Sequence, residues 1–271
     1  MKSQSFPDVA SSALFAPLRL RAAGLLKDKS FDRLHLQDLL NHYQVKSGGD
    51  QSLKLIAPPV RSQCFEEQYE VRIFQQGELA LRPDNWHDYF NAMVWLCFPL
   101  TKAQLNRRHY FALCDQKKQG LSLRGRSQDA WTLFDESGMI VTSEETSLLD
   151  CVKSFSWKTL FWERRQSVLE KMSWWVVGHA IYEKALAPYV GMTGHSVLLP
   201  VDKEFKNKSP PDQLAYVDKT LSESLADSNF LMQSRDLAPL PFLGIPGWWA
   251  DNENAGFYDN EAYFRKGRKI G

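Results

Sequence analysis

The chain has 271 residues, and its 33 basic and 32 acidic side chains leave a formal net charge of +1. No global field therefore draws it to nucleic acid or to an anionic membrane; only a local patch would do that. Hydrophobic residues at 44% and charged residues at 24% are globular values, which excludes a wholly disordered, collagen-like or coiled-coil chain.

In chain order, Met1 to Leu26 holds a short apolar patch at 13–18, but Pro7-Asp8 and Arg19-Leu20-Arg21 interrupt any secretory core. Ser30 precedes leucines recurring at helical spacing from Phe31 to Leu40, which predicts a capped surface helix. Ser47-Gly48-Gly49-Asp50 and Pro58-Pro59 make a loop of residues 44–62 with one short strand. Alternation at Tyr69, Val71 and Ile73, then Gln75-Gln76-Gly77-Glu78, predicts a hairpin over 68–81. Asp84 is placed to cap a helix carrying Trp86, Phe90, Met93, Val94 and Cys97, which Pro99 stops, and Thr101 to cap the next through Cys114. The segment Phe90–Leu100 is the most apolar window, yet far shorter than the ~20 residues a spanning helix needs, so no membrane span is expected.

A second hairpin is predicted over 131–141, with Asp135-Glu136-Ser137-Gly138 as its turn. Ser143-Glu144-Glu145 opens a short helix. Residues 156–171 form another, with Leu160, Phe161 and Leu169 inward. The apolar run 174–177 leads into a helix from Gly178 that Pro188 closes, and Ser209-Pro210-Pro211-Asp212 starts a helix to about Ala226. From Leu237 onward Pro, Gly and aromatic residues predict an irregular wrap. The fold class is therefore α+β: a helix-rich single domain over 1–271 with a small antiparallel sheet from two hairpins. An irregular segment, 1–29, opens it and an aromatic strap, 237–271, closes it. Core positions are Trp95, Cys97, Phe134, Leu160 and Val177. Cys64, Cys97, Cys114 and Cys151 lack any Cys-x-x-Cys spacing and read as buried thiols of a protein in a reducing, cytoplasmic compartment.

Four phrases occur in one order: Arg82-Pro83-Asp84-Asn85-Trp86-His87-Asp88-Tyr89-Phe90-Asn91-Ala92, Leu133-Phe134-Asp135-Glu136, Gly178-His179-Ala180-Ile181-Tyr182-Glu183-Lys184, and Gly244-Ile245-Pro246-Gly247-Trp248-Trp249. Together they resemble a proteobacterial family known as domain of unknown function 3025, over most of the chain and at least from Tyr69 to Arg268. The resemblance implies one conserved domain and a bacterial, cytoplasmic source. It transfers no catalytic role.

His87, His109, His179 and His195 lie in or near these phrases. His87 and Asn91, and likewise His179 and Glu183, are one helical turn apart on a single face. An imidazole and a carboxylate so spaced present two ligands to a divalent metal such as Zn²⁺, although His-x-x-x-Glu is far commoner by chance than His-Glu-x-x-His. Three readings stay open: structural satisfaction of the imidazoles, which carries the most weight because buried polar groups are usually satisfied rather than functional; metal ligation; and metal-free acid/base chemistry. Asp135 and Glu136 read as turn residues, since neighbours in a turn point apart. No Gly-x-Ser-x-Gly, Gly-x-Gly-x-x-Gly or Gly-x-x-x-x-Gly-Lys phrase occurs.

Arg107-Arg108-His109, Lys117-Lys118, Arg124 and Arg126 form a basic segment interleaved with Tyr110 and Phe111. Such a segment suits phosphate pairing and base stacking, or plain solvation of a helix end. The Trp248-Trp249 pair in the strap serves as a lid or as a clasp. The first expectation is a hydrolase of a phosphorylated or nucleotide-like small molecule. In it His87, His179 and Glu183 form the reacting centre or bind the metal, His109 or His195 lies nearby, and Arg108 or Arg126 holds an anion. The alternative is a non-catalytic module that binds RNA or a protein partner through a basic, aromatic face. His87 and His179, on different helices, are expected to meet beside Glu183.

Overall fold

The computed structural model describes residues 12–26, 31–59, 64–120 and 124–267. Helices α1 (Ala16–Ala22), α2 (Arg33–His42), α3 (Tyr69–Gln76), α4 (Trp86–Cys97), α5 (Pro99–Gln119) and α6 (Arg126–Ser137) dominate the N-terminal part. Strands β1 (Lys54–Ile56) and β2 (Glu78–Ala80) pair in parallel beside them. The C-terminal part carries β3 (Gly138–Ser143), β4 (Met172–Val176), β5 (Thr193–Pro200) and β6 (Ala238–Pro241), interspersed with helices α7 (Thr146–Lys153), α8 (Arg165–Lys171), α9 (His179–Lys184) and α10 (Pro210–Ala226). These strands form one sheet in the order β4-β3-β5-β6. The architecture is α+β.

The sheet differs from expectation in its origin and pairing. It is mixed rather than antiparallel, because β3 runs antiparallel to β4 but parallel to β5, and neither predicted hairpin forms. Residues 69–76 are helical: Glu70, Arg72, Gln75 and Gln76 are good helix formers. Gly77, at φ 70°, ends that helix in the left-handed conformation instead of turning a hairpin. Residues 131–134 belong to α6, where Ala130, Trp131 and Phe134 share one buried face. Only the second half of that predicted hairpin, Met139-Ile140-Val141, is a strand. The sequence reading assigns no strand to 193–200, where β5 lies.

Local signals place most helices and misplace several caps. Ser30 lies outside the described residues, and Asp32 caps α2 through the His35 amide. Asn85, not Asp84, caps α4 by accepting from Asp88 N. Pro99 ends α4 as expected and also opens α5, which runs on to Gln119. The first turn of α5 is capped from α10: the Asp218 carboxylate accepts from the amides of Leu100 and Thr101 at 3.0 and 2.8 Å. Ser143 ends β3, and the short helix starts at Thr146. The expected helix over 156–171 is broken at Arg164 into a π-helical turn, Thr159–Glu163, and α8. Helical phase from Leu160 and Phe161 leads to Val168 rather than to Leu169, and accordingly Val168 is buried and Leu169 is exposed.

One contiguous apolar core joins α1, α4, α9 and both faces of β3. Every residue of α4 from Tyr89 to Cys97 is buried, as befits a helix apolar all round. Trp95, Cys97, Phe134, Leu160 and Val177 are all core residues. Of the other cysteines, Cys114 and Cys151 are half-buried and Cys64 is exposed. Asn252 pins the C-terminal strap, its side-chain amide donating to Leu243 O and Ile245 O. No helix among the described residues is long and apolar enough to cross a membrane.

Candidate functional site

Two glycines decide where the site forms. Helix α6 runs directly into β3 and β4 runs almost directly into α9, and the antiparallel β3–β4 pairing puts both junctions at one end of the sheet. There Gly178 N donates to Gly138 O at 2.8 Å. A Cβ on Gly178 would sit 2.5 Å from both Gly138 N and Ser137 Cα, and one on Gly138 would sit 2.2 Å from Phe134 O. Backbone approach this close requires glycine. It sets Asp135 and Glu136, in the last turn of α6, against His179, the first residue of α9. Helix α4 packs on α9 and brings His87 from its own first turn.

The Nε2 atoms of His87 and His179 lie 3.0 Å apart. Glu136 Oε1 faces both, at 3.9 Å from His87 Nε2 and 3.6 Å from His179 Nε2. On the far side of each ring stands a second carboxylate: Glu183 Oε2 is 3.0 Å from His87 Nδ1, and Asp135 Oδ2 is 3.7 Å from His179 Nδ1. Glu183, expected among the ligands, thus backs His87, and Glu136 occupies the place between the rings. This division between the two glutamates has a plain cause. Spacing on α9 fixes Glu183 relative to His179, but only the packing of α4 fixes which nitrogen of His87 it meets.

Beneath the histidines a polar chain runs from a buried lysine out to the exposed Tyr69. Lys102, 4% exposed, donates through Nζ to Asn91 Oδ1 at 2.9 Å and also to Asp135 Oδ1, while Asn91 Nδ2 donates to the Tyr69 hydroxyl at 2.6 Å. Burial opposes the charge on Asp135, yet the Lys102 ammonium, and then His179, hold its carboxyl below the usual range. Burial raises the carboxyl of Glu136 above its ordinary value, the His87 ring opposing and Asp135 adding to the rise. Burial also lowers His179 to about 4 against the pull of Asp135. Its imidazole is neutral at neutral pH.

His87, His179, Asp135, Glu136, Asn91 and Tyr69 line an open cleft of about 750 Å³ that also meets Arg82, Asp88, His109 and Arg124. Arg82 is engaged by the Asp88 carboxylate, with Nη2 at 2.7 Å from Oδ1. Arg124 is exposed and donates to Thr132 Oγ1 at 2.7 Å. His109 is buried in the wall, edge-on to Trp131, and burial lowers its pKa.

The remaining candidates fall elsewhere. His195 sits on β5 opposite Gly138 and bonds the Ser137 hydroxyl at 2.8 Å, outside the cleft lining. Arg108 stacks over Trp131 and donates to Phe230 O at 2.7 Å, so it ties α5 to the 228–232 loop rather than facing the cleft. Arg126 is an exposed residue at the start of α6, also outside the lining. Nor does the basic, aromatic segment present a continuous face: Tyr110 stacks on Phe74 at 3.8 Å and Lys117 pairs with Glu66. Trp248 and Trp249 line a different cleft, of about 440 Å³, with Leu14 and Phe15.

Sequence reasoning missed Glu136, Asp135, Lys102 and Arg124 as members of the site. The adjacent carboxylates were visible, but reading them as a turn hid them; helical phase from Trp131 and Phe134 was the signal that places them at the end of α6. No curated protein and no solved structure matches the chain. Residues 60–268 match the family described as "Protein of unknown function (DUF3025)", and the chain belongs to that family.

Proposed function

We propose that the cleft is the active site of a hydrolase acting on a small phosphorylated or nucleotide-like molecule. The observation that carries this reading is the convergence of His87, His179 and Glu136 on one point of an open cleft, from three separate helices. Its volume of about 750 Å³ falls in the range of small-molecule sites. The exposed Arg124 guanidinium on its wall is suited to a phosphate group, the part first expected of Arg108 or Arg126.

In the reaction, a water held at the two imidazoles attacks phosphorus, its O–H proton passes to the Glu136 carboxylate, and the P–O bond to the leaving group breaks as that oxygen takes a proton from solvent in the open cleft. Glu183 orients the His87 ring for this by accepting from Nδ1, and the Lys102–Asp135 pair steadies His179 from below. A steady-state assay over phosphate monoesters, diesters and nucleotides tests the reading. Turnover of at least one class is expected, with a loss of about 10²-fold or more in His87→Ala, the scale of positioned acid/base groups. A folded protein that turns over none of them, or a His87→Ala variant as active as the parent, sinks it.

A further inference from the structure

We propose that His87 Nε2, His179 Nε2 and Glu136 Oε1 bind one divalent transition-metal ion, Zn²⁺ being the ion that best fits the donor set. The metal's part in turnover rests on the hydrolytic reading above; its binding does not.

Distances make the first argument. The three donor atoms form a triangle with edges of 3.0, 3.6 and 3.9 Å. The point equidistant from them lies about 2 Å from each, the length of a zinc–nitrogen or zinc–carboxylate bond. Two histidines and one carboxylate, with further positions open, form a donor set of catalytic zinc. Here the open side faces the cleft, where the side chains of His87 and Glu136 are 30% and 41% exposed.

Hydrogen bonding makes the second. Glu183 accepts from His87 Nδ1, so in the neutral ring Nε2 presents its lone pair toward His179. If His179 donates Nε2–H to that lone pair, its own Nδ1 is left as a lone pair facing the Asp135 carboxylate, buried and without a hydrogen-bond partner. If His179 carries its proton on Nδ1 instead, that N–H points at Asp135, but two Nε2 lone pairs then oppose each other across 3.0 Å. A cation between them, either a shared proton or a metal ion, resolves the conflict, and the reach of about 2 Å to all three donor atoms favours the metal. Each imidazole then has a carboxylate behind its Nδ1, the outer partner that fixes ring orientation and raises ligand basicity in metal-bound histidines. Glu183 and Asp135 are those partners.

The test uses the full chain without a polyhistidine tag, stripped with a chelator and titrated with ZnCl₂ by calorimetry and with CoCl₂ by visible absorption. One equivalent of either ion is expected to bind. Glu136→Gln and His87→Ala, at partly exposed positions, are expected to abolish stoichiometric binding while their circular dichroism stays that of the parent. Glu183→Gln is expected to keep one equivalent at about 10–100-fold lower affinity, the effect of losing an outer partner. Folded parent protein that binds neither ion, or Glu136→Gln with parental affinity, overturns the proposal. Turnover by the chelated, metal-free protein overturns the metal's part in turnover and leaves the hydrolytic reading intact. Stoichiometric metal with no turnover of any phosphate ester upholds the metal centre and removes that reading instead.

Discussion

His87 and His179 meet through their Nε2 atoms at 3.0 Å although 92 positions separate them in the chain. Each ring is backed by its own carboxylate, Glu183 and Asp135 respectively. Glu183 therefore holds the His87 ring by a hydrogen bond before anything binds, while Asp135, at 3.7 Å, faces His179 without bonding it. Such preorganisation is what a reacting centre requires, since groups already in place need not be reordered during the reaction.

The Lys102 ammonium is buried against the half-buried Asp135 carboxylate, and removing Asp135 strands it. Asp135→Leu, which leaves the Lys102 ammonium buried without a counter-charge, is expected to cost about 3–5 kcal/mol, the range for an uncompensated buried charge. The double variant Lys102→Met/Asp135→Leu is expected to recover part of that loss, because both charges then go together. Urea denaturation of the two variants measures this; equal stability of the single variant and the parent would contradict the burial.

Gly178→Ala forces a Cβ to within 2.5 Å of the Gly138 and Ser137 backbones. Overpacking of this kind costs about 1–3 kcal/mol. Because the same contact sets Glu136 against His179, zinc affinity is expected to fall along with stability. Calorimetric titration of the folded variant checks the coupling. Unchanged affinity would show that the glycine contact does not position the site.

Asp218 is 3% exposed, and burial raises its carboxyl to about 6, against the amides of Leu100 and Thr101 that favour its charged form. A folded-state pKa above the unfolded one means that the native protein holds the proton more tightly. Its contribution is therefore fully present below the unfolded pKa of about 4 and is lost as pH rises through about 6, to an extent of roughly 3 kcal/mol. Asp218→Asn is expected to remove that dependence. The stability of the parent relative to the variant should fall by roughly 3 kcal/mol from the lower end of this window to the upper. A difference that stays constant across the window would refute the shift.

Trp95 is 2% exposed in the centre of α4, with Lys102 Nζ 5.4 Å above its ring. Trp95→Ala is expected to cost about 3–5 kcal/mol, as for other buried large aromatics. A denaturation midpoint indistinguishable from that of the parent would overturn the packing described for α4.

The sequence by itself determined what local rules govern. Asn85 or its neighbour before the apolar run of α4, Pro99 after it, and Ser209 with two prolines at the start of α10 act within a few residues, so those helices and the core residues Trp95 and Cys97 follow from spacing and capping alone. The same rules place His87 and His179 in the first turns of two helices. The tertiary structure decided the rest. Short apolar stretches such as 69–74 and 131–134 satisfy either periodicity, and a glycine ends a helix as readily as it turns a hairpin. Strand β5 became a strand by pairing with β3 on one side and β6 on the other. Glu136 rather than Glu183 faces both Nε2 atoms because β3–β4 pairing and the Gly138–Gly178 contact bring the end of α6 to the start of α9. That proximity is set by backbone contact across the fold, which spacing within α9 does not encode.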